Sequence, residues 1–322
     1  MSAAPPVYLV TGAMGCIGAW ALYHLARQGK RAVSFDLSEN RSRLDLLLER
    51  EEQEEAITFV RGDLTDPAQV LNAIQTHAVT HIIHLAALQV PFCRANPALG
   101  AQVNVTGTVN VFEGARQAGL KHLMYASSVA VYGPPPPGRA GEVARDLAFE
   151  PMTLYGVYKV ANEGTARVYW ADHGISSTAI RPYTVYGVGR DQGMTSDPTK
   201  AMLAAAAGKP YHIGFNGPSQ FHFASDVARL CILAAERPLD GARVFNLGGK
   251  PTTCAEVIDL IRAECPGAEI TYRDAPLPFP AGFDGSALAA AFPDLPETPL
   301  VEGVRQTIQS FRALLSVGKI NA

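Results

Sequence analysis

Short apolar runs alternate along the chain with helix-length stretches that are apolar on one face only. Val7 to Val10 is the first such run, and it leads through a glycine-rich joint into an amphipathic stretch from Cys16 to Gln28. Ala32 to Phe35 is a second run, followed by a charged stretch around Asp45 to Glu55 that reads as a helix. Ile57 to Val60, His81 to Leu85, His122 to Ala126 and Ser177 to Ile180 complete the predicted strands of this part. Between them the pattern predicts helices at Pro67 to Thr76, from about Pro97 to Gln117, and at Tyr155 to Asp172. Buried strands that each lead into a helix are what a parallel sheet covered on both faces requires. The expected fold is therefore α/β and doubly wound.

The regular alternation stops after Arg181-Pro182. Glycine- and proline-rich joints stand at Gly187 to Gly193 and Asn216 to Ser219. Val244 to Leu247 reads as one more buried strand, and Cys254 to Arg262 and Leu300 to Leu314 as helices. This predicts a nucleotide-binding domain over 1–182, to which 222–248 returns, and a smaller substrate-binding lobe from 183–221 and 249–322. The run Pro134 to Gly138 suits neither a helix nor an interior strand and is expected as a surface loop at the rim of the site. The acidic run Glu49 to Glu55 is expected to be a solvated helix face.

With 322 residues, 48% hydrophobic and 18% charged, the chain has ample material for a core, and its net charge of −3 leaves no basic footprint for nucleic acid or an anionic membrane. Met1 to Pro6 lacks the features of a secretory signal, and no apolar run reaches bilayer length, so the expected location is the cytoplasm. The five cysteines are scattered without a C-x-x-C spacing and are expected to be free thiols, and no metal cluster is expected. Partners should be small molecules or further subunits.

The first strand is followed directly by Thr11-Gly12-Ala13-Met14-Gly15-Cys16-Ile17-Gly18, which opens a helix. Glycines let such a turn close tightly and let N–H groups approach a pyrophosphate, whose charge the helix N-terminus favours. Asp36 ends the second strand 18 residues after Gly18, where a carboxylate accepts hydrogen bonds from an adenosine ribose. It would repel a 2′-phosphate, so NAD is the expected cofactor rather than NADP. Arg41 and Arg43 would counter this if they folded back, and are read instead as surface arginines.

The Gly-x-x-Gly-x-x-Gly spacing resembles that of the extended short-chain dehydrogenase/reductases, the NAD-dependent epimerase/dehydratase branch of a Rossmann-fold superfamily, and the resemblance continues along most of the chain. Gly62-Asp63-Leu64 resembles the segment whose Asp contacts adenine, although Asp63 reads equally as a cap for the helix at Pro67. His84-Leu85-Ala86-Ala87 resembles the stretch beneath the cofactor. Asn104 with Gly107-Thr108 resembles an Asn-x-x-Gly-Thr helix, while Asn104 reads equally as a buried hydrogen-bonding residue. Tyr155 and Lys159 lie one helical turn apart on one face, and an ammonium there favours the phenolate that takes a proton from a secondary alcohol. Lys159 could also hydrogen-bond the nicotinamide ribose. Ser127-Ser128 followed by Val131-Tyr132-Gly133 resembles the family's Ser-Ser-x-x-Val-Tyr-Gly. This implies that Ser128 holds the substrate oxygen and that Ser127 sits nearer the cofactor. Tyr158 is read as packing. Arg181-Pro182-Tyr183-Thr184-Val185-Tyr186-Gly187 resembles the strand end leading to the substrate lobe, with Tyr183 toward nicotinamide and Thr184 toward substrate.

The family contains epimerases, dehydratases, reductases and dehydrogenases. Its dehydratases usually follow the catalytic hydroxyl with Asp-Glu, whereas Val129-Ala130 stand here. Nucleotide-sugar enzymes commonly place an Arg for the diphosphate where this chain has Ser219, which favours a smaller sugar, sugar acid or polyol. Candidate substrate contacts are Gln89, Arg94, Val129, Thr184, Arg190 and Gln192. Arg94 is read either as a carboxylate ligand or as a salt bridge at a helix start. His222, set between aromatics, is read as a buried, satisfied histidine. The expectation is an NAD-dependent dehydrogenase, with an epimerase that keeps its cofactor as the alternative, and a homodimer paired through the helices at 97–117 and 155–172.

Overall fold

A computed structural model describes residues 5–135, 138, 143–144 and 147–321. Pro136 and Pro137 of the expected rim loop lie outside them. The described residues within 1–131, 151–181 and 228–245 form one compact unit, and those within 132–150, 182–227 and 246–322 a second.

The first unit is built on a seven-stranded sheet. Its strands are β1 (Val7–Thr11), β2 (Arg31–Asp36), β3 (Ile57–Arg61), β4 (His81–His84), β5 (His122–Ala126), β6 (Ser176–Arg181) and β7 (Ala242–Asn246). Their order across the sheet is β7-β6-β5-β4-β1-β2-β3, and the ladders joining β6 to β3 are parallel. The order reverses at β1, between β4 and β2, and that is where a doubly wound sheet opens a crevice at its carboxyl edge. Leu9, Phe35, Ile82, Leu123 and Ala179 come from five of these strands and pack in one core with Phe112 and Ala166 from the covering helices.

The helices of this unit are α1 (Cys16–Arg27), α2 (Ser42–Asp45), α3 (Arg50–Ala56), α4 (Pro67–Thr76), α5 (Val90–Ala95), α6 (Pro97–Ala101), α7 (Gly107–Gln117) and α8 (Leu154–His173), with the greater part of a further helix, Ala224–Glu236. Two differ from expectation. The charged helix around 45–55 is split, because Glu49 is extended and starts α3 with a capping box to Glu52. The long helix at 97–117 is broken by a π turn, Gln102–Thr106, with buried Asn104 at its middle. Such turns insert an extra residue into the helical ladder and re-aim the side chains around it.

Helix α8 is held at both ends. Thr153 caps its start by accepting from Gly156 N at 3.1 Å, and Gly174 ends it in the left-handed region at φ 64°. At Gly156 the helix backbone runs against the short 3-10 turn Val129–Val131, and a Cβ there would fall inside van der Waals contact of the Ala130 carbonyl oxygen.

In the second unit, strand Ser219–Phe223 runs parallel to Thr184–Tyr186 and antiparallel to Pro251–Thr252. Strands Tyr211–Ile213 and Ile270–Tyr272 form a second small sheet. Val143–Ala144 pairs with Gly282–Phe283, and Tyr132 stacks on Phe283 at 4.7 Å. These contacts place 132–150 with the second unit, where the sequence reading gave them to the first. The Ser219–Phe223 pairing likewise keeps 222–227 in the second unit, so only 228–245 clusters with the sheet. Gly156→Ala is expected to lower unfolding free energy by about 1–3 kcal/mol, since the helix must move off the 129–131 turn. Denaturant unfolding beside the wild type measures it.

Candidate active site

The turn between β1 and α1 is shaped by close backbone approach. Gly12 has φ +66°, and a Cβ there would lie 2.6 Å from Ala86 N and Cα at the end of β4. No side chain caps Gly15, and no acid stands in the first turn of α1, where Cys16, Ile17 and Gly18 follow. The N–H groups of a helix start have no intrahelical acceptors, so this end suits an anion. Met14 N donates to Asp36 Oδ2 at 2.9 Å, and Ser38 N to Asp36 Oδ1 at 2.9 Å. Arg43 Nη1 donates to Met14 O at 2.8 Å, so this arginine folds back on the turn and is not the surface residue expected. Successive turn bonds, Asn40 N to Ser38 Oγ and Ser42 N to Asn40 Oδ1, bring the chain round and place α2 there. Arg41 stays outside, paired with Glu54 and lying 3.4 Å over the Phe59 ring. A glycine cradle, a helix N-terminus and a carboxylate at one strand edge fit the adenosine and pyrophosphate of a dinucleotide.

Leu85, Ala86 and Ala87 leave β4 half-buried, and Leu64 is buried with its carbonyl accepting from Asn110 Nδ2 at 2.7 Å. Asp63 is occupied by Thr65, whose N and Oγ1 both donate to Asp63 Oδ1 at 2.8 Å. The cap of α4 is Asp66, so Asp63 does not cap that helix. Asn104 holds the Leu88 backbone from both sides, its Oδ1 accepting from Leu88 N at 2.7 Å and its Nδ2 donating to Leu88 O at 2.9 Å. It thereby anchors the segment carrying Gln89.

His84 is buried between two threonines. Thr108 Oγ1 donates to Asn104 O at 2.7 Å, which leaves it to accept from His84 Nε2 at 3.0 Å. Nδ1 then accepts from Thr11 Oγ1 at 2.7 Å, and the ring is neutral with its proton on Nε2. Burial, with the Lys159 charge nearby, pushes its pKa down to about 3.

Ser128 follows β5 and accepts from Ala130 N at 3.2 Å. The turn it opens, with buried Val129, is the one that Gly156 of α8 touches, so Ser128 and Tyr155 are brought to one corner of the unit by backbone contact. Lys159 Nζ lies 5.6 Å from the Tyr155 ring centre and donates to Ala126 O at 2.6 Å. Only 3% of Lys159 is exposed, and burial pushes its pKa down to about 8, opposed by Cys93 and Glu163. Tyr158 packs as expected, its hydroxyl donating to Pro97 O at 2.8 Å. The Ser127 hydroxyl donates to Glu163 Oε1 at 2.5 Å. Glu163 also accepts from Arg181 Nε at 2.8 Å and Nη2 at 2.5 Å. The sequence reading passed over Glu163, although position 163 continues the 155, 159 series on one helical face.

Arg94 is exposed in the last turn of α5, with no ion pair among the described residues, so neither part of the helix-start salt-bridge reading holds. In the second unit, Tyr183 is buried against Phe279 and Phe283, and its hydroxyl has no hydrogen-bond partner among the described residues. Thr184 is fully buried, with its hydroxyl 3.5 Å from that of buried Ser219. Arg190 is half-buried, its Nη2 donating to Thr195 Oγ1 at 3.4 Å and its Nε without a partner among the described residues, while Gln192 is exposed. His222 is buried as expected but not satisfied: its Nε2 has no partner among the described residues, and burial pushes its pKa down to about 3.

His84 makes stability depend on pH. Its folded pKa lies below the ordinary 6.5, so between pH 6.5 and about 3 the unfolded chain binds a proton that the native state does not, and stability falls as pH falls through that window. His222 acts with the same sign. His84→Gln is expected to be less stable at pH 7 but to lose less on acidification, the slope easing by up to about 1.4 kcal/mol per pH unit. Chemical denaturation at a series of pH values measures it.

Comparison with known proteins gives a consistent family. The sequence profile of the NAD dependent epimerase/dehydratase family matches residues 8–248. A UDP-glucose 4-epimerase of Mycolicibacterium smegmatis is 29% identical, over 94% of this chain and 98% of that one. UDP-glucuronate 4-epimerase 4 of Arabidopsis thaliana is 30% identical, over 79% of this chain and 62% of that one. Among solved structures, the Thermus thermophilus UDP-glucose 4-epimerase in complex with NAD superposes with a TM-score of 0.79 at 26% identity, covering 95% and 99% of the two chains. The L-threonine dehydrogenase of Cupriavidus necator does so at 0.80 and 25%, covering 96% and 100%. With the glycine cradle, Asp36 and the Ser128, Tyr155 and Lys159 corner already in place, the chain belongs to the NAD dependent epimerase/dehydratase family, enzymes of the short-chain dehydrogenase/reductase type.

Proposed function

We propose that this protein is a dehydrogenase that removes a hydride from a secondary hydroxyl carbon of a sugar, sugar acid or polyol. The observation that carries the reading is the buried Lys159 ammonium beside Tyr155, next to the turn that presents Ser128. NAD, when bound, supplies the hydride acceptor. The cradle Gly12, Met14, Gly15, Cys16, Ile17 and Gly18 would hold its pyrophosphate, and Asp36 its adenosine ribose. Ser128 donates a hydrogen bond to the substrate oxygen, and Tyr155 takes the hydroxyl proton as the carbonyl forms. Lys159 opposes the phenolate charge with a full positive charge that the low-dielectric surroundings do not screen. Dehydration lacks its acid and base, since buried Val129 and Ala130 follow Ser128.

A feature of the second unit supports this choice of substrate class. Where a nucleotide-sugar enzyme would carry a diphosphate-binding arginine, Ser219 is buried against Thr184, a neutral pair that offers a diphosphate no countercharge. The relatives supply the second reading, a sugar 4-epimerase that keeps its cofactor and returns the hydride to the opposite face. The threonine dehydrogenase shows that this fold also serves net oxidation.

The decisive experiment denatures purified protein to assay released NAD or NADH, then incubates fresh protein with excess NAD and a panel of sugars, sugar acids, polyols and nucleotide sugars. The expected result is NADH in molar excess over enzyme, with Tyr155→Phe slower by about 10²–10⁴-fold. Retained cofactor and isomer formation without NADH would replace this reading with the epimerase. A homodimer belongs to the same proposal, supported by Leu154, Val157 and Val168 of α8 and Leu99 of α6, which stand exposed at 40–55%. Sedimentation equilibrium should give twice the chain mass, and a single-chain mass would refute it.

A further inference from the structure

We propose that Glu163 is a positioning residue of this site, its carboxylate fixing the end of β5 through Ser127 and holding the Lys159 ammonium charged and in place beside Tyr155. The inference rests on Tyr155 being the acid–base residue of the reading above. Neither the glycine cradle nor the Ser128, Tyr155 and Lys159 set explains why a carboxylate only 1% exposed stands one turn beyond Lys159.

Three elements meet at this carboxylate. Glu163 and Lys159 share a face of α8, Ser127 begins the segment leaving β5, and Arg181 ends β6. Ser127 is tied twice, by its hydroxyl to Glu163 and by its N–H to Ile180 O at 2.9 Å. Ser128 is the next residue, so the direction in which its hydroxyl leaves the sheet is set by that double tie. Ala126, the preceding residue, gives its carbonyl to Lys159. One carboxylate therefore fixes the strand end that both receives the ammonium and presents the serine.

The electrostatics point the same way. The groups around Lys159 are Tyr155 and Glu163 on its own helix, His84 from β4, Cys93 from α5 and the Ala126 carbonyl from β5, with Arg181 of β6 bound to Glu163. His84 is neutral, and burial raises the Cys93 thiol, which keeps its proton. Glu163, bound to the Arg181 guanidinium, is thus the carboxylate of the set. Without its charge two buried cations remain, and of these only the lysine can give up its proton, because a guanidinium does not deprotonate in proteins. A neutral lysine no longer favours the Tyr155 phenolate.

The test uses NAD-saturated enzyme and three variants. Glu163→Gln keeps shape and removes charge, while Glu163→Gln with Arg181→Met also removes the cation that the first change strands, since an unpaired buried charge can unfold a protein. Glu163→Asp restores the charge. Each is measured for thermal unfolding, for NAD affinity, for the pH dependence of turnover, and for the Tyr155 phenolate midpoint by ultraviolet difference titration against Tyr155→Phe. In both charge-removing forms the midpoint is expected to rise by about one pH unit and turnover at pH 7 to fall about tenfold, with NAD affinity little changed and Glu163→Asp moving back toward wild type. A folded double variant with an unmoved midpoint, or one regaining full turnover along with its stability, would overturn the proposal. The titration needs no substrate: a wild type that oxidises nothing in the panel defeats the functional reading alone, and the midpoint still decides the role of Glu163.

Discussion

A lysine ammonium enclosed in protein is the constraint on which the rest of this site depends. Removing such a charge from water is costly, and the cost is borne only where hydrogen-bond acceptors and an opposite charge wait at fixed positions. Here the acceptor is a main-chain carbonyl at the end of a central strand, and the opposite charge is a carboxylate one helical turn away. Both require α8 to lie close along the carboxyl edge of the sheet. That closeness is obtained at Gly156, where the absence of a side chain lets the helix rest on the turn that follows Ser128. Close backbone approach and a compensated buried cation are two aspects of one arrangement.

The cofactor end follows a different logic. Its groups are partial charges of the main chain, namely a glycine turn and a helix start, with the Asp36 carboxylate beside them. Asp36 and Arg43 hold the N–H and C=O of the same residue, Met14, so the turn is braced by an acid and a base at once. A brace of this kind fixes the cradle before any ligand arrives, which lowers the ordering cost of binding. Membership of an NAD-dependent family agrees with that geometry.

The second unit buries a few neutral polar groups of its own. Its small sheet aligns Thr184 with half-buried Phe221 and sets Ser219 beside it, the threonine and serine buried, and the Tyr183 hydroxyl and His222 Nε2, which have no partner among the described residues, lie in the same unit.

Much of this was legible in the amino-acid order. The order of strands and helices, the glycine turn, Asp36, and the Tyr155 and Lys159 pair all follow from local rules: side-chain period, backbone freedom at glycine, and the one-turn spacing of a helix. The tertiary structure decided what depends on contacts between distant segments. Arg43 turns back to Met14, 29 residues away, and Ser127 is spent on Glu163, 36 residues away. The π turn at Asn104 likewise answers to Leu88, and the residues at 132–150 join the second unit through Phe283. A sequence displays spacing along one chain, whereas the partner of a buried charge or amide is fixed by which strands and helices come to lie side by side.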